Sequence, residues 1–197
     1  MKINIVEGDI TEFDGDAIVN AANVTLLGGG GVDGSIHRAA GPELKTVCGY
    51  FASTPPGSGI RCPTGEARIT RGYDLPARFV IHAVGPMFTE SSTCRMVFHP
   101  GETTEQGTYN PMERLEAVIR NCLQIAMERN LAHIAFPAIS CGVFGGNINT
   151  FAKMFHRIIN EREEWSSLTE ITFYLFQPWE YAMFKGTWDL LEEMSND

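Results

Sequence analysis

The sequence lacks any apolar run close to the roughly 20 residues that a transmembrane helix requires, so a membrane span is not expected. A secretion leader is not expected either, because the short segment 1–6 is followed at once by Glu7-Gly8-Asp9. That segment is too short for a signal peptide and instead predicts a β-strand. We therefore expect a cytoplasmic protein, with access to the nucleus if the source is eukaryotic.

Cysteine is scarce and follows no pairing pattern. The odd count of five argues against a disulfide framework, and the absence of any C-x-x-C pair argues against a cysteine zinc site. Free thiols fit a reducing cytosol. The five residues are Cys48, Cys62, Cys94, Cys122 and Cys141.

Positive charge is also in deficit, with 15 Lys and Arg against 24 Asp and Glu and a net charge of −9. An extended nucleic-acid surface is therefore disfavoured, because neutralising phosphates requires a basic face. A smaller anionic ligand would have to be held by backbone N–H groups and helix ends rather than by a lysine cluster. The length of 197 residues and the hydrophobic content of 44% favour one domain with a substantial core.

Predicted strands and helices alternate along the chain. Periodicity predicts strands over 3–6, 17–22, 66–70, 78–84, 134–137 and 171–176, and helices over 35–40, 43–51, 111–130, 150–165 and 181–194. This alternation predicts an α/β fold with helices on both faces of a sheet. Residues 87–110 form a long irregular segment of the kind that often serves as a functional lid or insertion. Neither a repeat nor a linker divides the chain, so residues 1–197 are predicted to form a single domain.

Two glycine-rich turns follow predicted strands. Residues 28–31 are four consecutive glycines that stand between a strand and a helix, where anion sites form in open α/β sheets. Ordering four glycines costs backbone entropy. We therefore expect that the backbone at these positions has to come close to a ligand. The second turn, 140–146, could then clamp a diphosphate from the opposite side.

The segment from Asn20 to Gly41 closely resembles the signature of MacroD-type macrodomains. Residues 8–11, with the sequence Gly-Asp-Ile-Thr, and residues 136–144 match two further family motifs in the same order. The match covers nearly the whole chain and is loose over 87–110 and the last helix. It implies a macrodomain fold, a three-layer α/β/α sandwich with a mixed central sheet of about six strands. It also implies a hydrolase that removes mono-ADP-ribose from acidic protein side chains or deacetylates O-acetyl-ADP-ribose and that needs neither a metal nor another cofactor. We expect a monomer without a membrane contact.

The resemblance also implies roles for individual residues. Asp33 would be the catalytic carboxylate, and Asn23 would hold the hydroxyls of the distal ribose. These residue types suit the chemistry, since an amide both donates and accepts hydrogen bonds and a carboxylate can accept a proton from water. Asp9 would accept a hydrogen bond from the adenine amino group, assisted by the Ile10 backbone. The other ligand-binding positions that we expect are Asn20, Gly30, Gly31, Val32, His37, Ser140, Cys141, Gly142, Val143, Phe144 and Phe176.

Purely structural roles remain open for several of these residues. Asp33 could be the N-cap of a helix that begins at Gly34. His37, four residues later on the same helix face, could orient Asp33 or the ligand, or could be a structural histidine. Asn20 could simply satisfy backbone groups near the loop. His82 lies in an apolar strand and is expected in the core.

Purely structural roles are also open for residues at the two ends of the expected site. Asp9 could be a turn residue, and Phe144 and Phe176 could be core aromatics. Cys141 departs from the family pattern, which has Thr or another small polar residue there. An exposed thiol at this position would be sensitive to oxidation.

Two rival functions fit parts of the sequence. Gly29-x-Gly31-x-x-Gly34 matches the phosphate fingerprint of NAD-dependent oxidoreductases. That fingerprint requires an acidic residue at the end of a second strand about 20 residues later, and the sequence near 53–54 offers neither. The other rival is a macrodomain that binds ADP-ribose without hydrolysing anything, and the presence of both Asn23 and Asp33 favours an enzyme over it.

Overall fold

Residues 1–88, 110–161 and 165–196 are described by a computed structural model. Most of the irregular segment predicted over 87–110 lies outside these described residues. Within them, no helix has both the length and the apolar character that crossing a membrane demands.

The described chain forms one six-stranded mixed sheet with the strand order β1-β6-β5-β2-β4-β3. Neighbouring strands are parallel except for β3, which pairs antiparallel with β4 at one edge. The five parallel strands therefore direct their carboxyl ends to the same edge of the sheet. The strands are β1 (Lys2–Glu7), β2 (Ala17–Ala21), β3 (Ala67–Arg71), β4 (Phe79–Ala83), β5 (His133–Phe136) and β6 (Glu170–Leu175).

Helices cover both faces of the sheet, because the central strands are apolar on both sides and need cover on both. One face packs against the third, fourth and fifth helices, and its buried cluster includes five phenylalanines that come from the sheet and from the last two helices. The other face buries mainly aliphatic side chains, including those of the first two helices. The prediction of a three-layer α/β/α sandwich with about six strands is thereby confirmed. The helices are α1 (Gly31–Ala40), α2 (Pro42–Cys48), α3 (Pro111–Glu128), α4 (Ile148–Asn160) and α5 (Pro178–Asn196), with a 3-10 helix at Ile10–Glu12.

Some predicted helix boundaries are wrong. The first helix was expected over 35–40, but α1 already begins at Gly31 and its N-cap is Gly30. The fourth helix was expected to reach residue 165, but α4 ends at Asn160. Trp165 lies beyond it, buried, and its indole N–H donates to the Ile158 carbonyl at 3.1 Å. Trp165 continues the spacing of the apolar residues of α4, although it reaches the core from the segment after the helix. The spacing alone therefore predicts too long a helix.

Candidate active site

The loop between β2 and α1 is shaped by the side chain of Asn23. Its Oδ1 accepts hydrogen bonds from the backbone N–H of Thr25 at 2.9 Å and from the Thr25 hydroxyl at 2.6 Å. Its Nδ2 donates to the Gly28 carbonyl at 3.1 Å. A Cβ added to Gly29 would lie 3.2 Å from this Nδ2 and 3.1 Å from Asp33 Oδ2. The glycine backbone therefore brings the amide of Asn23 and the carboxylate of Asp33 to the same place.

Asp33 lies in the first turn of α1 and is only 4% exposed. The alternative that it caps the helix is wrong, because Gly30 is the N-cap and no side chain forms a cap hydrogen bond there. Its Oδ1 instead accepts from Asn20 Nδ2 at 2.7 Å. Burial raises the pKa of the Asp33 carboxyl, although the hydrogen bond from Asn20 and the nearby His37 act in the opposite direction. A raised pKa improves a carboxylate as a proton acceptor near neutral pH.

The imidazole of His37 stands beside this carboxylate, with Nε2 3.5 Å from Asp33 Oδ1. Both ring nitrogens are buried and find no hydrogen-bond partner among the described residues. Burial lowers the pKa of His37, so the ring is neutral at pH 7. A largely neutral ring compensates the charge of Asp33 only weakly, so the effect of His37 on the Asp33 pKa is smaller than the effect of burial.

Asn20, which we predicted to bind the ligand, is fully buried beneath Asp33. Its Nδ2 faces both Asp33 Oδ1 and the Nδ1 of His82, the latter at 3.2 Å. A role restricted to backbone groups is wrong for Asn20, since its side chain bonds to the side chains of Asp33 and His82. Because Asn20 is fully buried, it can act on a ligand only through Asp33. His82 is fully buried, as the apolar strand predicts.

A cleft of about 480 Å³ opens at the carboxyl edge of the sheet. Added Cβ atoms at Gly30, Gly31 and Gly142 would meet no atom within 4 Å, so the backbone at these positions faces open space. The two glycine-rich turns thus both present backbone to this cleft, as the sequence predicts. Its lining is Gly8, Asp9, Ile10, Gly31, Val32, Ser35, Arg38, Pro137, Ala138, Gly142, Tyr174, Leu175, Phe176, Gln177 and Glu180.

Several lining residues were missed from the sequence. Tyr174 stands two residues before Phe176, and residues two apart on a strand share a face, so the predicted Phe176 could have indicated it. Phe176 itself is 68% exposed, which makes the core alternative for it wrong. Ser35 and Arg38 follow from helical spacing after Gly31, and Arg38 donates to the Ser35 hydroxyl at 3.0 Å.

Asp9 combines a structural role with an accessible position. Its Oδ1 accepts from the backbone N–H of Thr11 at 2.9 Å and from the Thr11 hydroxyl at 2.8 Å, so it caps the 3-10 helix. The turn role considered from the sequence is therefore present. Because those bonds use Oδ1, the second oxygen is left for a donor in the cleft.

The second glycine-rich turn is fixed by its own backbone. Gly146 N–H donates to the Ser140 carbonyl at 2.9 Å, and the Phe144 carbonyl accepts from Phe88 N–H at 2.7 Å. Ser140 is buried and adopts a left-handed φ of 66°. Val143, at the tip, is 97% exposed, whereas Phe144 is half-buried. This turn therefore offers mainly backbone to the cleft, and only Gly142 of its residues lines it.

Cys141 is half-buried, and its thiol donates to the Ile139 carbonyl at 3.5 Å. Burial raises the pKa of this thiol to about 12, and the thiolate is the reactive form. We expect iodoacetamide at pH 8 to leave Cys141 unmodified on a timescale that fully labels an exposed thiol, as followed by peptide mass spectrometry. The Val143→Cys variant supplies that exposed thiol in the same turn. Equal labelling of both cysteines would contradict the burial of Cys141.

One group of potential metal ligands occurs among the described residues, formed by His37, Cys48 and His82, whose donor atoms lie within 4.8 Å of one another. Burial raises the pKa of the Cys48 thiol to about 11, so the thiol keeps its proton. Both nitrogens of His82 face protein groups, Asn20 at 3.2 Å and the Thr70 hydroxyl at 2.9 Å. Cys48 and His82 therefore belong to a buried hydrogen-bonded cluster with Asn20 and Thr70, whereas the ring nitrogens of His37 have no hydrogen-bond partner among the described residues.

A mixed α/β sheet with a glycine-lined cleft at the carboxyl edge of its strands has the position at which open α/β proteins commonly bind ligands. The Macro domain family matches residues 19–155, more than half of the chain. The chain belongs to the macrodomain family.

Relatives and solved structures agree with this membership. The chain is 46% identical over 144 residues to a protein of Enterobacter cloacae called O-acetyl-ADP-ribose deacetylase, covering 73% of this chain and 69% of that protein. A macrodomain of Oceanobacillus iheyensis with ADP shares 36% identity at a TM-score of 0.79, covering 96% of this chain and 91% of the other. A Trypanosoma brucei macrodomain in complex with ADP-ribose shares 34% at a TM-score of 0.73, covering 93% and 68%.

Proposed function

We propose that this protein binds ADP-ribose and hydrolyses its esters, by removing mono-ADP-ribose from acidic protein side chains or by deacetylating O-acetyl-ADP-ribose. The observation that carries the proposal is the buried Asp33 carboxylate, held next to Asn23 by the backbone of Gly29. The name of the Enterobacter cloacae relative supports the deacetylase activity. The ADP-ribose in the Trypanosoma brucei macrodomain supports the ligand.

The cleft has the groups that such a ligand requires. Backbone N–H groups near Gly31 and Gly142 would hold the diphosphate from two sides. Arg38 adds the one cation that lines the cleft in the described part of the chain. The adenine end would lie between Asp9 and the exposed ring of Phe176, since a flat base stacks on an aromatic side chain and Asp9 offers an acceptor to the amino group.

The chemistry would take place beside the cleft, where Asn23 and Asp33 approach each other at Gly29; neither of these two side chains lines the cleft itself. Asp33 would accept a proton from the attacking water while its Oδ1 stays bonded to Asn20. Asn23 would contact the distal ribose with the hydrogen-bonding capacity that its own loop leaves unused. Because burial outweighs His37 in its effect on the pKa of Asp33, the carboxylate would stay basic.

Calorimetric titration with ADP-ribose, beside a hydrolysis assay, tests this function. The assay should compare a protein ADP-ribosylated on Asp or Glu, O-acetyl-ADP-ribose, and a nucleic acid ADP-ribosylated at its end. Binding together with hydrolysis of one of these substrates supports the proposal. Binding without any hydrolysis would favour the alternative, a protein that binds ADP-ribose without hydrolysing it. The burial of Asp33 and the hydrogen bonds of Asn23 within its own loop would then explain the lack of hydrolysis. Failure to bind ADP-ribose would overturn both.

The Asp9→Asn variant should bind ADP-ribose about 10-fold more weakly, because a lost or reversed hydrogen bond to a ligand costs roughly 1–3 kcal/mol. Asparagine can keep the cap, since its Oδ1 still accepts from Thr11. Its second polar group would then be an N–H₂ that faces the adenine amino group, donor against donor. Calorimetry measures the affinity, and thermal unfolding should show an unchanged fold. Thr11→Val, which removes only the hydroxyl contact to Asp9, serves as control, and equal losses in both variants would contradict a direct contact of Asp9 with adenine.

A further inference from the structure

We infer that His82 and Thr70 are positioning residues that orient the Asp33 carboxylate through the side-chain amide of Asn20. The inference rests on the proposed function of Asp33, and it goes beyond it, because neither His82 nor Thr70 lines the cleft. Three hydrogen-bonded contacts connect these side chains, and all of them are buried.

The first step concerns the two hydrogens of the Asn20 amide. Nδ2 lies 2.7 Å from Asp33 Oδ1 and 3.2 Å from His82 Nδ1. An amide nitrogen carries two N–H donors, so one can point to each acceptor. The reversed amide would bring its carbonyl oxygen against the carboxylate and against a ring lone pair. Two acceptors therefore set the amide orientation, the Asp33 carboxylate and a lone pair at His82 Nδ1.

The second step concerns the tautomer of His82. A neutral imidazole with a lone pair at Nδ1 carries its hydrogen on Nε2. The Thr70 hydroxyl lies 2.9 Å from Nε2 and can accept that hydrogen, while the Cys48 thiol stands further away at 3.6 Å. Burial, and to a smaller extent the neighbouring His37, lower the pKa of His82 to about 3. The ring therefore remains neutral over the working range. Because Asn20 Nδ2 can only donate, His82 Nδ1 carries the lone pair, and the Thr70 hydroxyl accepts the hydrogen on Nε2.

The sheet holds this chain of contacts in place. Asn20 on β2 is the strand partner of His82 on β4, and Thr70 lies on the next strand, β3. All three residues are therefore carried by neighbouring strands of one sheet, and their backbone cannot shift independently. Functional groups supported from rigid elements keep their geometry better than groups on loops. The loop that carries Asn23 could move on ligand binding while the support of Asp33 stays fixed.

The tautomer can be tested without any activity. Nitrogen-15 NMR of the protein labelled at histidine distinguishes the protonated from the unprotonated ring nitrogen, and loss of one signal set in His82→Gln assigns it to His82. We expect Nε2 protonated and Nδ1 unprotonated from pH 5 to pH 8. A hydrogen on Nδ1, or on both nitrogens, would overturn the inference whatever the protein hydrolyses.

Kinetics test the link to Asp33. Thr70→Val removes the acceptor for Nε2–H at nearly constant shape, and supporting groups of this kind change activity by about 10-fold when removed. We expect kcat to fall about 10-fold while the Kd for ADP-ribose stays within about twofold, since the cleft is untouched. The acid limb of the pH–rate profile should move to higher pH, because a weaker hydrogen bond to the Asp33 carboxylate raises its pKa. Thr70→Ser, which keeps the hydroxyl, should restore both.

The matched control is Thr172→Val, which removes another buried threonine hydroxyl, bonded to His133 and Asn4 rather than to this network. A purely structural role for Thr70 predicts equal loss of thermal stability in both valine variants, with kcat and the acid limb unchanged, and that result would overturn the inference. If the wild-type protein hydrolyses none of the three substrates, the proposed function fails, and the NMR measurement still decides the orientation of the network.

Discussion

Asp33→Asn should lower the rate of hydrolysis by about 10²–10⁴-fold, the contribution that a positioned general base makes to a reaction, with little change in ADP-ribose affinity. Asparagine has nearly the same shape and keeps an oxygen that can accept from Asn20, but it cannot take a proton from water. Affinity should persist because the anion would be held by backbone groups near Gly31 and Gly142. Single-turnover hydrolysis and calorimetry on the same preparation measure the two quantities.

The control for this variant is Asp189→Asn, which makes the same change on the exposed face of α5, where Asp189 pairs with Lys185. Its hydrolysis rate should match that of the wild type. A fully active Asp33→Asn variant would show that another group activates the water. A loss of binding in parallel with the loss of rate would instead make Asp33 a ligand-holding residue.

Phe155→Ala should lower the free energy of unfolding by about 3–5 kcal/mol, the usual cost of removing a fully buried phenylalanine. Phe155 is fully buried on α4, and its ring centroid lies 4.8 Å from those of both Phe136 and Phe173. Both of these partners lie on strands that end at the cleft, so the packing joins the helical layer to the sheet. Urea unfolding followed by fluorescence or circular dichroism measures the change.

Phe176→Ala is the matched comparison, because this ring is mostly exposed at the cleft. Its removal should alter stability by less than about 0.5 kcal/mol, as is usual for surface positions, and should weaken ADP-ribose binding instead. If Phe155→Ala costs less than about 1 kcal/mol, a figure well below the range for buried aromatics, the aromatic cluster does not anchor α4.

The order and type of the elements could be predicted because each carries its own periodicity. The start of α1 could not be predicted, because a run of glycines has no side chain that indicates an N-cap. Asp33 resembled an N-cap in the sequence, but the observed N-cap, Gly30, lies three residues earlier. A helix that begins at Gly31 places the carboxylate inside its first turn, facing Asn20, rather than at its end. This single difference separates a capping residue from a candidate base.

The site could be predicted where its residues follow one another in the sequence, and not where the fold brings them together. Motif resemblance indicated Asp9, Gly31 and Gly142, which line the cleft. The contact between Asn20 and His82 joins residues 62 positions apart. It depends on β2 and β4 being neighbours, and the sequence does not specify that order. Burial then turns an expected ligand residue into a support for another side chain.

The burial of Asp33 also bears on how the family could diversify. A carboxylate whose pKa is raised by folding stabilises the fold fully below about pH 3.8, its ordinary value, and that contribution is lost as the pH rises through the raised pKa. At neutral pH the charged Asp33 therefore opposes folding, and a neutral residue in its place relieves the opposition. A neutral residue at this position, which would abolish the proposed hydrolysis, would therefore also raise the free energy of unfolding. Relatives that bind the ligand without hydrolysing it could then arise without a loss of stability. Restoring the aspartate would lower the free energy of unfolding again, so it would require selection for the hydrolysis.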